Sequence, residues 1–295
     1  MPLPKKIAQV EIITHRGLEP SNPNFFPESS IEAFQNHLSR GFGIEFDLNF
    51  AKDGIVVSHD ATLTRITNGQ DTRPFEQLTI QEATHHTYGA QKKGTIGTLE
   101  ELLKCMEKGD PNTMHALHLK GKFQEVHYID DLLQTLAPFT SLLPRIIIFD
   151  VKPSIASYIK SKNPNCVLAP SVAHPYDITR YNSAVLGTLI SLDDAIRYKK
   201  DELYEWAWLD EWDLTGEHGT AKTFYNQETF QILKQAGYQI SLVTPELHGT
   251  SPGLLGGEAH PDAATKETLF KRIRKIIHLQ PDAICTDYPE EAKKW

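Results

Sequence analysis

The feature that most restricts this 295-residue chain is its rhythm, short apolar runs each followed by a stretch with helical spacing. "VEIITHRG", "FGIEFDLNFA", "GIVVSHD", "MHALHLKGK", "PRIIIFDVKP", "NCVLAPSV", "LYEWAWLDEWD", "YQISLVTPEL" and "DAICTDYP" read as strands. "SSIEAFQNHLSRG" and "GTLEELLKCMEKGD" read as helices. Ser29 with Glu32 and Thr98 with Glu101 have capping-box spacing, and Gly41 is a stop signal. Strand–helix alternation predicts parallel strands joined by crossover helices. About eight such strands suit a closed (β/α)8 TIM barrel better than an open sheet. We therefore expect one α/β barrel domain over residues 1–295. Residues 61–97, polar and turn-rich, read as a small insertion after the second strand region. "HGTSPGLLGGEAHPDAATKE" reads as a loop covering the barrel mouth, since it follows a strand and is rich in Gly and Pro.

Composition narrows the function classes. A hydrophobic content of 40% with 23% charged residues is that of a globular chain able to bury a large core. The formal net charge of -8 gives no basic footprint for nucleic acid. The three cysteines, Cys105, Cys166 and Cys285, form no CxxC pair and suggest neither a zinc knuckle nor a disulfide framework. No run of about 18 apolar residues suggests a membrane span, and the N-terminal stretch lacks the apolar core of a secretory signal. A cytoplasmic location is the expectation, and the sequence leaves the oligomeric state open.

The polar residues within the strands carry the chemistry. In "GIEFDLNF", Glu45, Asp47 and Asn49 share one face and Ile44, Phe46, Leu48 and Phe50 the other. Strands of a parallel barrel are normally apolar on both faces. Two adjacent buried carboxylates need compensation, which a divalent cation supplies; a solvated edge strand is the alternative. Other strands also end in reactive groups: His15 and Arg16, His59 and Asp60, His118 and Lys120, and Asp287. Barrel enzymes draw catalytic groups from the C-terminal ends of several strands. Two histidines can act as general acid and base, and Arg16 and Lys120 can bind an oxyanion. With a metal, such a set suits attack at a phosphate ester. Trp206, Trp208 and Asp210 alternate onto one face, either as core packing or as an aromatic wall with a hydroxyl-binding acid.

The motifs "HRG", "PESSIEAF", "EFD", "SHD", "IGTLEELL" and "AICTDYP", in that order from residue 13 to 289, resemble the glycerophosphodiester phosphodiesterase family. The resemblance implies a TIM barrel with a small insertion after "SHD". It also implies hydrolysis of a glycerophosphodiester to an alcohol and sn-glycerol 3-phosphate. His15 and His59 would then be the acid–base pair, and Arg16, with Lys120, would contact phosphate. Glu45 and Asp47 would hold a divalent metal, Mg2+ first, with Mn2+, Ca2+ or Zn2+ as alternatives. "HLK" places His118 where the family has a further acidic ligand, so His118 is expected in or beside the metal site. "LVTPE" replaces the family's "WTVN", which puts Glu246, with Trp208 and Asp210, among candidate pocket residues. Alternatives are a phospholipase-like or cyclising phosphodiesterase, or a barrel that binds phospho-ligands without turnover. The expected partner in each case is a small-molecule phosphodiester.

Overall fold

Strand β1 (Glu11–His15) lies between β2 (Gly43–Ala51) and β11 (Ala283–Thr286), parallel to both, with Ile13 opposite Gly43 and Cys285. The computed structural model describes residues 10–88, 93–185, 187–211, 223–246 and 261–295. Between β2 and β11 the chain forms β3 (Gly54–Val57), β4 (Gly97–Thr98), β5 (His115–His118), β6 (Ile146–Phe149), β7 (Val167–Ala169), β8 (Ser171–Ala173), β9 (Trp206–Asp210) and β10 (Gln239–Val243). The parallel path runs β7-β6-β5-β2-β1-β11-β10-β9-β8. Its two ends, β7 and β8, are the halves of one segment interrupted at Pro170, which has no N–H to give a ladder. The carbonyl of Pro170 still accepts from the Trp208 amide at 3.0 Å. That segment joins the two ends of the path, and the chain is an eight-stranded α/β barrel.

The helices are α1 (Ile31–Ser39), α2 (Ile80–Thr84), α3 (Leu99–Glu107), α4 (Val126–Leu136), α5 (Pro153–Lys162), α6 (Pro175–Val185), α7 (Leu192–Lys200), α8 (Gln227–Gln235), α9 (Lys266–His278) and α10 (Pro289–Ala292). Local signals set their ends. Thr98 caps α3 through the Glu101 amide, as its spacing predicts. At α1 the cap is Ser30, not Ser29, and Glu32 instead accepts from the Thr95 amide and hydroxyl at 2.8 and 3.0 Å. The expected capping box there is thus replaced by a tie to the segment before β4. Gly41, with φ 77°, follows α1 as the left-handed stop. No helix among the described residues is long and apolar enough to cross a membrane.

Alternation sorts the core into two layers. Outward side chains such as Ile44, Phe46 and Leu117 pack with the buried faces of the helices, including Phe34, Leu99, Leu102 and Leu103. Each of these leucines contributes roughly 1.5–3 kcal/mol by burial. Inward side chains, among them Ile13, Ala116, Ile147, Phe149, Trp206 and Trp208, fill the barrel itself. Cys105, Cys166 and Cys285 are free thiols.

One strand does not do what its sequence predicts. "GIVVSHD" is no barrel stave: β3 runs antiparallel to the far half of β2, with Val57 opposite Leu48 and Gly54 opposite Ala51. Strand β2 therefore projects past the barrel, turns at Lys52–Asp53, and β3 returns toward the mouth. The returning Ser58 amide bonds the Asp47 carbonyl at 3.1 Å, which sets His59 beside the rim. A separate cluster of Val56, Leu63, Ile66, Phe75, Leu78, Ala83, Tyr88 and Ile96 packs over this hairpin. The loop read as a mouth cover lies, up to residue 260, outside the described residues.

Candidate active site

The C-terminal ends of β1, β2 and β5 bring their polar residues to one mouth. Registers place His15 opposite Glu45 and Asp47 opposite His118. Glu45, Asp47 and His118 offer ligand atoms within 4.8 Å of one another. Both carboxylates are buried, Glu45 at 3% and Asp47 at 1% exposure. Burial and the Asp47 charge push the Glu45 carboxyl up. Burial also acts on Asp47, but Lys120, His59 and His118 outweigh it and hold that carboxyl well below the usual range.

Asp47 is the hub. His118 Nδ1 lies 2.9 Å from its Oδ1, Lys120 Nζ 3.3 Å from the same oxygen, and Arg16 Nε 3.6 Å from Oδ2. Oδ2 itself is buried without a hydrogen-bond partner among the described residues. Lys120 also donates to the His59 carbonyl, tying β5 to the returning hairpin.

Arg16 sits on a sharp turn. Its φ is 51° and that of Gly17 is 70°. A side chain at Gly17 would meet the Ala33 methyl at 3.1 Å and the Phe34 ring at 3.3 Å, so the "HRG" glycine is required twice over. The turn points the Arg16 amide at Glu45, 3.2 Å from Oε2, and its guanidinium toward Asp47 and Glu28. Glu28 also pairs with Arg65, which bonds Asp60 at 2.6 Å. Backbone strain gathered at a polar mouth is characteristic of a functional site.

The two candidate acid–base histidines each have a carboxylate behind them. His15 Nδ1 lies 2.8 Å from Asp287 Oδ1. Burial, then Arg16, hold the His15 imidazole well below its ordinary range, and burial pushes the Asp287 carboxyl up to about 7. His59 Nδ1 lies 3.1 Å from Asp60 Oδ1. Burial lowers the His59 pKa against the pull of Asp47 and Asp60.

The expected pocket residues are placed differently. Trp208 is 2% exposed and stacks on Phe149, centroids 3.9 Å apart, and Phe149 stacks on His118 at 4.8 Å. Instead of an open wall, Trp208 is the base of a ring stack under His118. Glu246 is buried beside Asp287: its Oε1 accepts from the Asp287 amide at 3.1 Å and from the Thr244 and Thr286 hydroxyls. Asp210 is half-buried at the end of β9.

Sequence reasoning missed Asp150 and Glu28. Asp150 Oδ2 lies 3.5 Å from His118 Nε2. Burial lowers the His118 pKa, but Asp150 and Asp47 together raise it to about 9. The available signal was an aspartate directly after the apolar run "IIIF", at the C-terminal end of a strand. Glu28 was visible only as part of "PESS".

Fold and mouth together define a TIM barrel whose charged groups converge at the C-terminal ends of its strands. The model of the glycerophosphoryl diester phosphodiesterase family matches residues 15–291, and the chain belongs to that family. A glycerophosphodiester phosphodiesterase from Bacillus altitudinis is 35% identical over 143 residues, 47% of this chain and 56% of the relative. The chain thus spans little more than half the length of that curated relative. The glycerophosphoryl diester phosphodiesterase structure from Parabacteroides distasonis superposes with a TM-score of 0.66 at 20% identity, covering 98% of this chain and 86% of that one. A phosphodiesterase from Oleispira antarctica, solved with the product sn-glycerol 3-phosphate, superposes with a TM-score of 0.64 at 17% identity, covering 96% and 95%. At these identities the two structures speak for the fold.

Proposed function

We propose that this chain hydrolyses a glycerophosphodiester to an alcohol and sn-glycerol 3-phosphate. The observation that carries the reading is a convergence: Arg16, Lys120 and His118 all reach Asp47, while His15, opposite Glu45, is backed by Asp287. Family membership and the product bound to the Oleispira antarctica protein support the substrate class.

The donor set fits a divalent ion: two adjacent buried carboxylates, an imidazole within 4.8 Å, and a buried Asp47 Oδ2 without a hydrogen bond. Glu45, Asp47 and His118 would hold it, and when bound it supplies Lewis acidity to a phosphoryl oxygen. The two carboxylates admit Mg2+, and the imidazole moves the preference toward Mn2+ or Zn2+.

The chain's own residues account for binding and proton transfer. Arg16 and Lys120 bind the non-bridging oxygens and offset the charge that grows there. His15 donates Nδ1–H to Asp287 and presents Nε2 as the base. Burial keeps it neutral, and Asp287 steadies the imidazolium that forms. Water attacks phosphorus as His15 takes its proton. The bond from phosphorus to the alcohol oxygen breaks, and that oxygen takes a proton from His59, which enters the step as the imidazolium paired with Asp60. His15 then releases its proton to solvent and His59 regains one.

The test is to incubate the full chain with glycerophosphodiesters differing in their alcohol, each with Mg2+, Mn2+, Ca2+ or Zn2+. Released alcohol and sn-glycerol 3-phosphate are read together. A cyclic phosphate product would assign the cyclising reaction instead. Binding of sn-glycerol 3-phosphate without turnover under any metal would make this a binding barrel.

A further inference from the structure

Asp150 follows the last residue of β6 with φ 64°, a left-handed conformation uncommon for a residue with a side chain, which its surroundings hold. Three contacts do so. Gln124 Nε2 donates to the Asp150 carbonyl at 2.6 Å, and the Thr188 hydroxyl reaches the same carbonyl at 2.6 Å. The Thr188 hydroxyl also bonds Asp150 Oδ1. With Oδ1 held, the other oxygen, Oδ2, lies against His118 Nε2 at 3.5 Å. The carboxylate is 4% exposed, so little water solvates it.

The imidazole is fixed as firmly. Its plane lies 8° from that of Phe149, and the Phe149 plane lies 10° from that of Trp208. The stack prevents the ring from tilting, and register sets its height, with His118 opposite Asp47 on one side and Phe149 on the other. One nitrogen therefore faces Asp150 and the other faces Asp47. A histidine that binds a metal through one nitrogen commonly gives its second N–H to a carboxylate, which selects the tautomer and the ring orientation.

We propose that Asp150 is a positioning residue of the candidate metal centre: it holds His118 by Nε2, so that Nδ1 is the nitrogen presented beside Asp47 and Glu45. The site has an imidazole at position 118 in place of a carboxylate, and β6 returns a carboxylate one step behind it. This inference rests on the metal reading given above.

Calorimetric titration of the full chain with Mn2+ tests it without recourse to turnover. Asp150→Asn keeps the Thr188 contact but turns an amide N–H toward Nε2, which selects the opposite tautomer. Mn2+ affinity should fall about 10- to 100-fold, the usual scale for removing such a partner. In a His118→Glu background the same substitution should cost clearly less, because there is no imidazole to orient and only the Asp150 charge is lost. An unchanged affinity for Asp150→Asn, or an equal loss in both backgrounds, overturns the proposal and leaves the metal reading standing. If the parent chain binds no Mn2+, both fall. Should Asp150→Asn fail to fold, Thr188→Val decides: it frees Oδ1, and a loss confined to the His118 background supports the proposal, whereas no loss or an equal loss overturns it.

Discussion

His15 Nδ1 and Asp287 Oδ1 lie 2.8 Å apart across 272 positions of sequence, because β1 and β11 are neighbours in the closed barrel. The contact makes the His15 tautomer a property of the fold. Asp287→Asn would offer that nitrogen a donor as readily as an acceptor, and the base proposed at Nε2 would be lost. We expect kcat/KM to fall about 100-fold or more, comparable with His15→Ala and His59→Ala, the usual scale for a general acid or base. Melting temperatures should move little for the histidine variants. Steady-state kinetics check this, and near-parental turnover in Asp287→Asn would show that the pair is structural.

Much of this mouth was legible in the sequence, for a definite reason. Period two within "GIEFDLNF" puts Glu45 and Asp47 on one face whatever the tertiary structure, and strand ends announce His15, Arg16 and Lys120. What was not legible depends on contacts between distant segments. "GIVVSHD" has the pattern of a barrel stave, and only the antiparallel pairing of Val57 with Leu48 shows that it is a returning hairpin. Asp150 reads only as the end of an apolar run, and its role shows in the folded contact with His118. Trp208 had both patterns open to it, and the stack on Phe149 selects packing.

Glu246 gives a second test, since its surroundings are those of a brace. Burial, then Asp287, push its carboxyl up to about 7, while Oε1 takes three donors. Oε2 is buried without a hydrogen-bond partner among the described residues. Glu246→Gln can keep Oε1 for the three donors but buries its amide unpaired where Oε2 was, so it should cost about 1–2 kcal/mol. Glu246→Ala strands the three donors and should cost about 2–3 kcal/mol. Denaturant unfolding measures both. A pocket role would show the reverse, an Ala variant as stable as the parent but with a raised KM.

Acid sensitivity should come partly from two histidines outside the mouth. Burial, then a neighbouring arginine, lower His37 and His115 to about 3. The unfolded value is near 6.5, so between these limits the unfolded chain binds more protons. Each histidine therefore contributes stability that is present above about pH 6.5 and is lost as the pH falls toward 3. His115 is the cleaner probe, because its Nε2 has no hydrogen-bond partner among the described residues. His115→Leu should lose less melting temperature than the parent between pH 7 and pH 5, a difference worth at most about 2 kcal/mol. Parallel curves for the two proteins would rule out this contribution.

The identity of residue 118 should set the metal preference. With His118 in place, the site offers two hard oxygens and one imidazole nitrogen, a mixture that transition ions accept better than Ca2+ or Mg2+ does. His118→Glu replaces nitrogen by oxygen and lowers the charge of the site by about one unit. The new carboxylate would lie beside Asp150, now 3.5 Å from the imidazole, and the two would repel unless a cation stood between them. Both effects favour the hard ions. The ratio of Mg2+ to Zn2+ dissociation constants should therefore fall about 10-fold or more from parent to His118→Glu, while His118→Ala should weaken every ion. Competition titrations of the whole chain give these ratios directly. Equal ratios in parent and Glu variant, with Mn2+ affinity unchanged in the Ala variant, would remove His118 from the metal site and leave Glu45 and Asp47 as its protein ligands.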